Sequence, residues 1–274
     1  MPLRRQQPFP SALRDKLWHG RIEDLLHEVP SNSVDCILAD PDYNIGRRYN
    51  GSSSRLPRKE YFEWCEKWAA ECLRVLKPSG NFFIINYPDN NAYLRVNFLD
   101  SHFASVRDYV WVYNSNIGHG PRWFTTAHRS ILHCTKTRAN RFYKRPVALP
   151  YQNPNARREL KLTESGSPGR MPYSWMYFDL VKNTSRSKSF HSCQIPESLT
   201  ETLLKATTRR SDMVLVLFGG SGSELAVCKR LGRHFASAEI NPTYARLIEA
   251  RLSNGGEIPA RYRLPRQRGR RAIN

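Results

Sequence analysis

Residues Val34 to Gly46 read VDCILADPDYNIG, and the fold follows from how this stretch is built. Val34, Cys36, Ile37, Leu38 and Ala39 make an apolar run with the length and character of a buried strand. Pro41 fixes φ and has no amide hydrogen, so the chain must leave the sheet at Asp40-Pro41. In open α/β sheets ligands bind outside the carboxyl ends of the strands, which puts Asp40 and Tyr43 where chemistry is expected. Asp-Pro-x-Tyr at a strand end offers a carboxylate, backbone carbonyls that cannot turn away, and an aromatic face. Such a set suits a flat ring bearing an amino group, whose hydrogens the acceptors take while Tyr43 stacks on its face.

On the amino-terminal side, Ile22, Leu25, Leu26 and Val29 keep helical spacing, and residues 1–17 are polar, basic and Pro-containing, as in a surface arm. On the carboxyl side, RRYNGSSSRLPR (Arg47 to Arg58) predicts a mobile basic loop beside the site. Tyr61 to Leu76 predicts a helix ended by Lys77-Pro78-Ser79-Gly80. NFFIIN (Asn81 to Asn86) then predicts a strand, Asn90 to Leu99 a helix, and Asp108 to Tyr113 and Ser130 to Lys136 further strands. Strands alternating with helices imply a Rossmann-like, mostly parallel α/β sheet with helices on both faces.

The pattern breaks after Tyr113. A turn-rich basic stretch contains Arg122, Trp123 and Phe124, and Arg138 to Ser189 has no sustained periodicity while mixing Arg and Lys with Tyr, Trp and Pro. Basic groups interleaved with aromatics suit phosphate contact and base stacking, so residues 138–190 are expected to form a recognition insertion. The expected division is therefore an arm (1–17), a first core part (18–137), the insertion (138–190), a second core part (191–254) and a basic tail (255–274).

Net charge is +19, with arginines crowding the tail, and a polyanion is the natural partner because each neutralised phosphate releases counterions. No apolar run approaches the ~20 residues of a membrane span, and MPLRRQQPFP lacks the apolar region of a signal peptide, so an intracellular, cytoplasmic protein without a membrane partner is expected. The six cysteines include no Cys-x-x-Cys pair and no His/Cys cluster at zinc spacing, which reads as buried thiols with no metal.

A second motif lies near the other end. The strand around MVLVLF (Met213 to Phe218) runs into Gly219-Gly220-Ser221-Gly222, a helix follows from Glu224 to Leu231, and a second strand, His234 to Ala238, ends on Glu239. This is the βαβ ligand-binding unit, in which glycines admit a ligand to the backbone and the distal acid accepts from a ribose diol. No Lys-Ser/Thr follows the glycines, so this is not a P-loop; Leu225 replaces the third glycine of a dinucleotide fingerprint, and Ser223 breaks Gly-x-Ser-x-Gly.

Asp-Pro-x-Tyr-Asn followed by Phe218-x-Gly220-x-Gly222 with a distal acid resembles the S-adenosyl-L-methionine-dependent amino-methyltransferases of DNA, in the motif order of their β subgroup. KPSGNFFIIN, HRSILHCTK, HSCQIPESL and LGRHFASAEINPTYARLIEARL support the likeness, which spans about His19 to Leu252. The resemblance implies that Asp40 and the Pro41 carbonyl hold the target amino group and that Tyr43 stacks on a flipped base. It implies that Asp40, Phe218, Gly220, Gly222, Glu239 and Asn241, with His191, Ser192 and Gln194, line the cofactor. Asn44, Arg47, Arg48, Arg122 and Trp123 are expected to meet double-stranded DNA, and such proteins are often homodimers. Adenine N6 is favoured as target because Asp rather than Ser opens the motif; cytosine N4, an RNA substrate and a non-catalytic nucleic-acid-binding relative are the alternatives. Cytosine C5 chemistry would need a Pro-Cys, and no cysteine here follows proline. The sequence departs from the family pattern twice: Asp42 stands where a second proline is usual, and Val216 stands where a carboxylate is usual.

Overall fold

The computed structural model describes residues 8–44, 48–49, 52–53, 55–114, 122–183, 185 and 187–264. In chain order, β1 (Lys16–His19) leads to α1 (Ile22–Glu28) and β2 (Val34–Ala39); β3 (Arg48–Tyr49) and β4 (Ser52–Ser53) make a short hairpin before α2 (Arg58–Val75). Then come β5 (Leu76–Asn86), α3 (Pro88–Leu94), a π-helical turn (Arg95–Leu99), α4 (Asp100–His102), β6 (Ser105–Val112) and β7 (His128–Thr135). The remainder is α5 (Arg157–Glu164), β8 (Trp175–Tyr177), α6 (Glu197–Thr207), β9 (Met213–Val216), α7 (Ser223–Leu231), β10 (His234–Glu239) and α8 (Pro242–Ser253).

Among the described residues, eight strands form one sheet in the order β1-β10-β9-β2-β5-β7-β6-β8. The five strands from β1 to β5 in that order run parallel, while β7 is antiparallel to both β5 and β6. All of β2 is buried, as expected of a strand covered on both faces. Alternation sorts its side chains: Ile37 and Ala39 join the core that includes Trp68 and Cys72 of α2, whereas Cys36 and Leu38 join the core that includes Leu199 and Leu203 of α6. β9 divides in the same way, Leu215 to the first core, Val214 and Val216 to the second.

The fold corrects several sequence-based expectations. Residues 8–17 of the expected arm are not free, because Phe9 is buried and Lys16 and Leu17 already belong to β1, parallel to β10; residues 1–7 lie outside the described residues. Lys77-Pro78-Ser79-Gly80, expected only to end the helix, is itself strand: β5 begins at Leu76 rather than Asn81 and crosses this stretch, with a shift of its register against β2 between Val34 and Cys36. The 138–190 segment is not wholly irregular, since it contributes α5 and the edge strand β8, which pairs with β6. The tail packs on the core as far as residue 264, with Ile258 buried and Ser189 bridged to Arg263; residues 265–274 lie outside the described residues. Five cysteines are buried and Cys193 is half-buried. No helix among the described residues is long and apolar enough to cross a membrane.

One buried carboxylate ties the two halves of the parallel sheet together at the amino edge. Asp35 accepts two bonds from Lys77 Nζ, both 2.8 Å, one from Met213 N at 2.9 Å, and one from Arg141 Nη2. Replacement Asp35→Ala leaves these donors without their acceptor and is expected to destabilise the chain by about 2–4 kcal/mol, read as a lowered urea midpoint at unchanged m-value.

Candidate active site at the carboxyl edge of the sheet

β2 ends at Ala39, and the loop that follows is fixed at almost every residue. Tyr43, buried at 5% exposure, donates its hydroxyl to Asp40 Oδ1 at 2.6 Å. Its carbonyl accepts from Asn90 Nδ2 at 3.0 Å, and the Asp42 carbonyl accepts from the Tyr61 hydroxyl at 2.8 Å. The Asp42 carboxylate accepts from Asn44 N at 2.7 Å, a local turn that substitutes for the missing ring of a second proline. Asn44 itself, in the left-handed region with φ 56°, clasps the far end of the following loop by accepting from Leu56 N (2.7 Å) and donating to Leu56 O (2.9 Å).

Arg129 on β7 supplies a cation beside this loop. Its guanidinium lies 3.8 Å from the Tyr87 ring centroid and 5.4 Å from those of Tyr43 and Tyr113, and it donates to the hydroxyls of Tyr87 (2.9 Å) and Tyr113. Burial lifts the Asp40 carboxyl well above the usual carboxylate range; Glu224 and Asp42 push the same way, whereas the Tyr43 hydrogen bond and the Arg129 charge oppose it. Tyr43 is likewise raised, by burial first and then by the Asp40 charge.

The second loop comes from β9. After Leu217 the chain turns through Gly220 and Gly222, both left-handed with φ 53° and 71°, and enters α7. Glu239 at the tip of β10 braces the turn from beneath, one oxygen accepting from Gly220 N (2.8 Å) and the other from Asn241 N (2.7 Å). Burial raises the Glu239 carboxyl, and these amide bonds offset part of the rise. Arg251, 1% exposed, holds the turn from α8 by donating to Ser221 O (2.9 Å), Ser223 Oγ (3.2 Å) and Gly256 O (2.8 Å), with Glu197 balancing its charge. His191 packs edge-on against Tyr244 and stands so near the turn that a Cβ on Gly220 would lie 3.3 Å from its Nε2; burial lowers its pKa to about 3.

Asp40, Tyr43, Phe218, Gly220, Gly222, Glu239 and His191 therefore gather at one edge. Other expected site residues make contacts within the protein. Gln194 folds back on its own segment, bonded to Ser189 and Ser187, and Asn241 caps α8 through Thr243 N and Tyr244 N. Ser192 is exposed, its hydroxyl directed at Cys193. The Tyr43 ring is not an open platform for a base: Tyr87 meets it at 85°, Arg129 lies over it, and almost none of it reaches solvent. Phe218 is partly turned into the core, against Trp64 and Trp68. Arg122 and Trp123 stand exposed, Trp123 at 82%; Arg47 and the side chain of Arg48 lie outside the described residues.

Three residues near the site escaped the sequence. Arg129 lay inside the strand pattern HRSILHC, Ile240 inside a loop, and Glu224 inside an amphipathic helix. Ile240 is 68% exposed directly after Glu239. Glu224, buried in the first turn of α7, acts electrostatically on Asp40, as Asp42 does to a lesser degree; Val216 is buried in the apolar core and the Asp42 carboxylate also accepts within its own turn. Among the described residues no group of three or more His, Cys, Asp or Glu side chains is arranged to hold a metal ion.

These two loops, on a parallel sheet and in this order, define a class. The sequence matches the DNA methylase family N6_N4_Mtase over residues 34–250, and the chain belongs to that family. It is 31% identical over 259 residues to the type II methyltransferase M.BglII of Bacillus subtilis, covering 89% of this chain and 71% of that one. It is 28% identical over 239 residues to the DNA adenine methyltransferase YhdJ of Escherichia coli, covering 85% and 81%. Solved structures share the fold at lower identity. The cytosine-N4-specific PvuII DNA methyltransferase gives a TM-score of 0.64 at 19% identity over 84% of this chain and 83% of that one. The M1.HpyAVI-SAM complex gives 0.63 at 21% over 86% and 98%.

Burial pushes the Glu224 carboxyl up to about 7, from an ordinary value of 4.5. A raised carboxyl favours the folded state at low pH, and that contribution is lost as pH rises through about 7. Glu224→Gln is therefore expected to be more stable than the parent at about pH 8, by up to about 3 kcal/mol, with the difference closing towards about pH 4.5, as read from melting temperatures across the range.

Proposed function

We propose that this chain transfers a methyl group from S-adenosylmethionine to the exocyclic N6 amino group of adenine, in a base turned out of double-stranded DNA. The observation that carries the reading is the juxtaposition of Asp40, held by Tyr43 and Arg129, with the Gly220–Glu239 turn on the adjacent strand. Membership of the DNA methylase family and the adenine-methylating relative support it.

The residues present fit the cofactor. The Glu239 oxygens accept from the Gly220 and Asn241 amides, with the Ile240 amide beside them, and retain acceptor capacity for a ribose diol. The exposed Ile240 side chain beside it offers an apolar face to a purine. His191 and the backbone of Gly220 lie close enough to border the methionine end. When bound, S-adenosylmethionine supplies a sulfonium methyl, so that the new N–C bond forms as the C–S bond breaks and a neutral thioether leaves.

The chain's own residues do the rest. Turning a base out costs a few kcal/mol, which contacts in the pocket must offset. The incoming amino group takes over the Asp40 acceptor that Tyr43 holds, and the Tyr43 ring turns onto the base as it also leaves Tyr87 and Arg129. Asp40 and the Pro41 carbonyl then accept the two N–H hydrogens and localise the nitrogen lone pair away from the ring, a positioning and electrostatic role. The Arg129 charge opposes the rise that burial and Glu224 impose on the Asp40 carboxyl, and so favours its ionised, accepting form. The nitrogen loses one proton after transfer, and Asp40 is the adjacent base. The 138–190 segment is assigned to reading the DNA sequence, where the stacked and exposed Tyr173 and Trp175, with Arg170 over Tyr173, present aromatic and cationic surface. Cytosine N4 is the second reading, favoured by the fold likeness to the PvuII enzyme.

Incubation with genomic DNA and labelled S-adenosylmethionine, followed by digestion and mass spectrometry of nucleosides, is expected to yield labelled N6-methyladenine; label in N4-methylcytosine selects the second reading, and no label in DNA rejects both. Asp40→Ala is expected to abolish transfer with DNA affinity nearly unchanged. Arg129→Gln removes a charge that lowers the Asp40 pKa, so the acid limb of the kcat profile is expected to move to higher pH, with less change in KM than in kcat.

A further inference from the structure

A groove of about 580 Å³ opens between the root of the 138–190 segment and the core. Its walls include Thr208, Arg209 and Arg210, just before β9, and Arg233, just before β10, so it lies at the amino edge of the sheet, opposite Asp40 and Glu239. A strand of this length separates the two edges by roughly 20 Å.

Six cations line the groove, Lys144, Arg145, Lys205, Arg209, Arg210 and Arg233, and no carboxylate does. The acids closest in sequence to this wall are already engaged. Glu201 pairs with Lys205 (2.6 Å) and Arg230 (2.9 Å), and Asp212 accepts from Arg209 N (2.8 Å) and pairs with Arg141 (3.3 Å). The wall is built rather than loose. Tyr143 N donates to Ala206 O at 2.6 Å, the Arg209 guanidinium lies 4.5 Å from the Tyr143 ring centroid, and Arg233 donates to Thr208 Oγ1 (3.1 Å) and Thr208 O (2.9 Å). Burial holds the Arg233 pKa below its ordinary value; Asp212 opposes the shift, and the Arg210 charge adds to it least. Crowding cations in a concave wall is unfavourable unless an anion with several charges is brought in, and a run of phosphates is such an anion.

We propose that this groove binds the phosphate backbone of a second stretch of DNA, separate from the stretch that carries the target base. The inference rests on the reading of the chain as a DNA methyltransferase. A straight duplex lying on the carboxyl edge does not reach the opposite edge, so the groove serves a neighbouring segment of the same long molecule or another molecule. Its consequence is retention of the enzyme on long DNA between target sites.

The test compares the parent with the variant Lys205→Gln/Arg209→Gln/Arg210→Gln, all outside the 138–190 segment, and with the milder single change Arg210→Glu, each checked by its melting curve. Titration at low salt with a duplex of about 12 base pairs, too stiff to bend round from one edge to the other, is expected to fill two sites on the parent and one on the variant. On duplexes of about 60 base pairs the variant is expected to lose roughly tenfold in affinity, and its log–log salt slope to fall by about 2 to 3. Its kcat on saturating genomic DNA stays at the parent value. Unchanged stoichiometry and salt slope would overturn the proposal. So would a fall in kcat together with loss of both duplex sites, which would make the groove part of the primary interface. Displacement of tripolyphosphate but not duplex by these substitutions would assign the groove to free polyphosphates and overturn it as well. Two-site DNA binding by a parent that methylates no DNA would keep the groove and reject the methyltransferase reading.

Discussion

The hydrogen bond from Leu217 N to Leu38 O, 2.9 Å long, is the last rung between β9 and β2 before both strands leave the sheet. One residue beyond Ala39 stands Asp40, and two beyond Leu217 stands Gly219. The site exists because this rung holds two loops side by side that are far apart in the chain. Full burial of β2 and β9 on both faces makes the register hard to change, since a slip of one residue would carry every side chain to the opposite core. The position of the acceptor relative to the glycine turn is thus set by packing of the whole sheet rather than by contacts within the site.

Charge is handled differently at the two edges of that sheet. At the carboxyl edge each buried ion has a partner of opposite sign or a set of dipoles: Glu239 has two amides, Arg251 has Glu197 and backbone carbonyls, and Asp40 has the Tyr43 hydroxyl with Arg129 beyond it. Buried carboxylates persist in such settings only where geometry is well satisfied. Asp40 is the least satisfied of the three, with one direct donor against burial, Glu224 and Asp42. A group in that position gains more from an incoming amino group than a saturated carboxylate would. At the amino edge Asp35 accepts four hydrogen bonds from three donors, while beside it the lining of the 142–146 and 208–210 groove carries cations without carboxylates.

Much of this was legible in the sequence because the parallel strands are short apolar runs bounded by proline or glycine. β2, β9 and β10 and the helices α2, α6, α7 and α8 lie within a few residues of where periodicity put them. Orientation was not legible: Ser130 to Thr135 is as apolar as a parallel strand, and only pairing shows that β7 runs against β5. β1 was hidden because it has four residues, none fully buried, and draws its order from β10. Arg129 and Glu224 were hidden for a further reason. A charged residue in a strand or in a first helical turn reads as solvent-facing until the tertiary neighbours are known, and here those neighbours are Tyr43, Tyr87 and Asp40. Gln194 and Asn241 show the converse, polar residues within a binding motif whose side chains serve the local backbone.

The strand order also dictates a sequence of events during synthesis. β2, α2 and β5 are neighbours in the chain and pair directly, and β7 and β6 extend that sheet on one side. The other edge of β2 receives β9, then β10, and only then can β1, the first strand made, find its place. Until residues beyond 213 emerge, the nascent chain carries an apolar strand with one edge unpaired and an amino-terminal segment with nothing to join. Long-range parallel pairing of this kind forms slowly and leaves sticky edges exposed meanwhile. A ribosome stalled before β9 would therefore hold a chain with half a sheet, no active site and a strong tendency to aggregate.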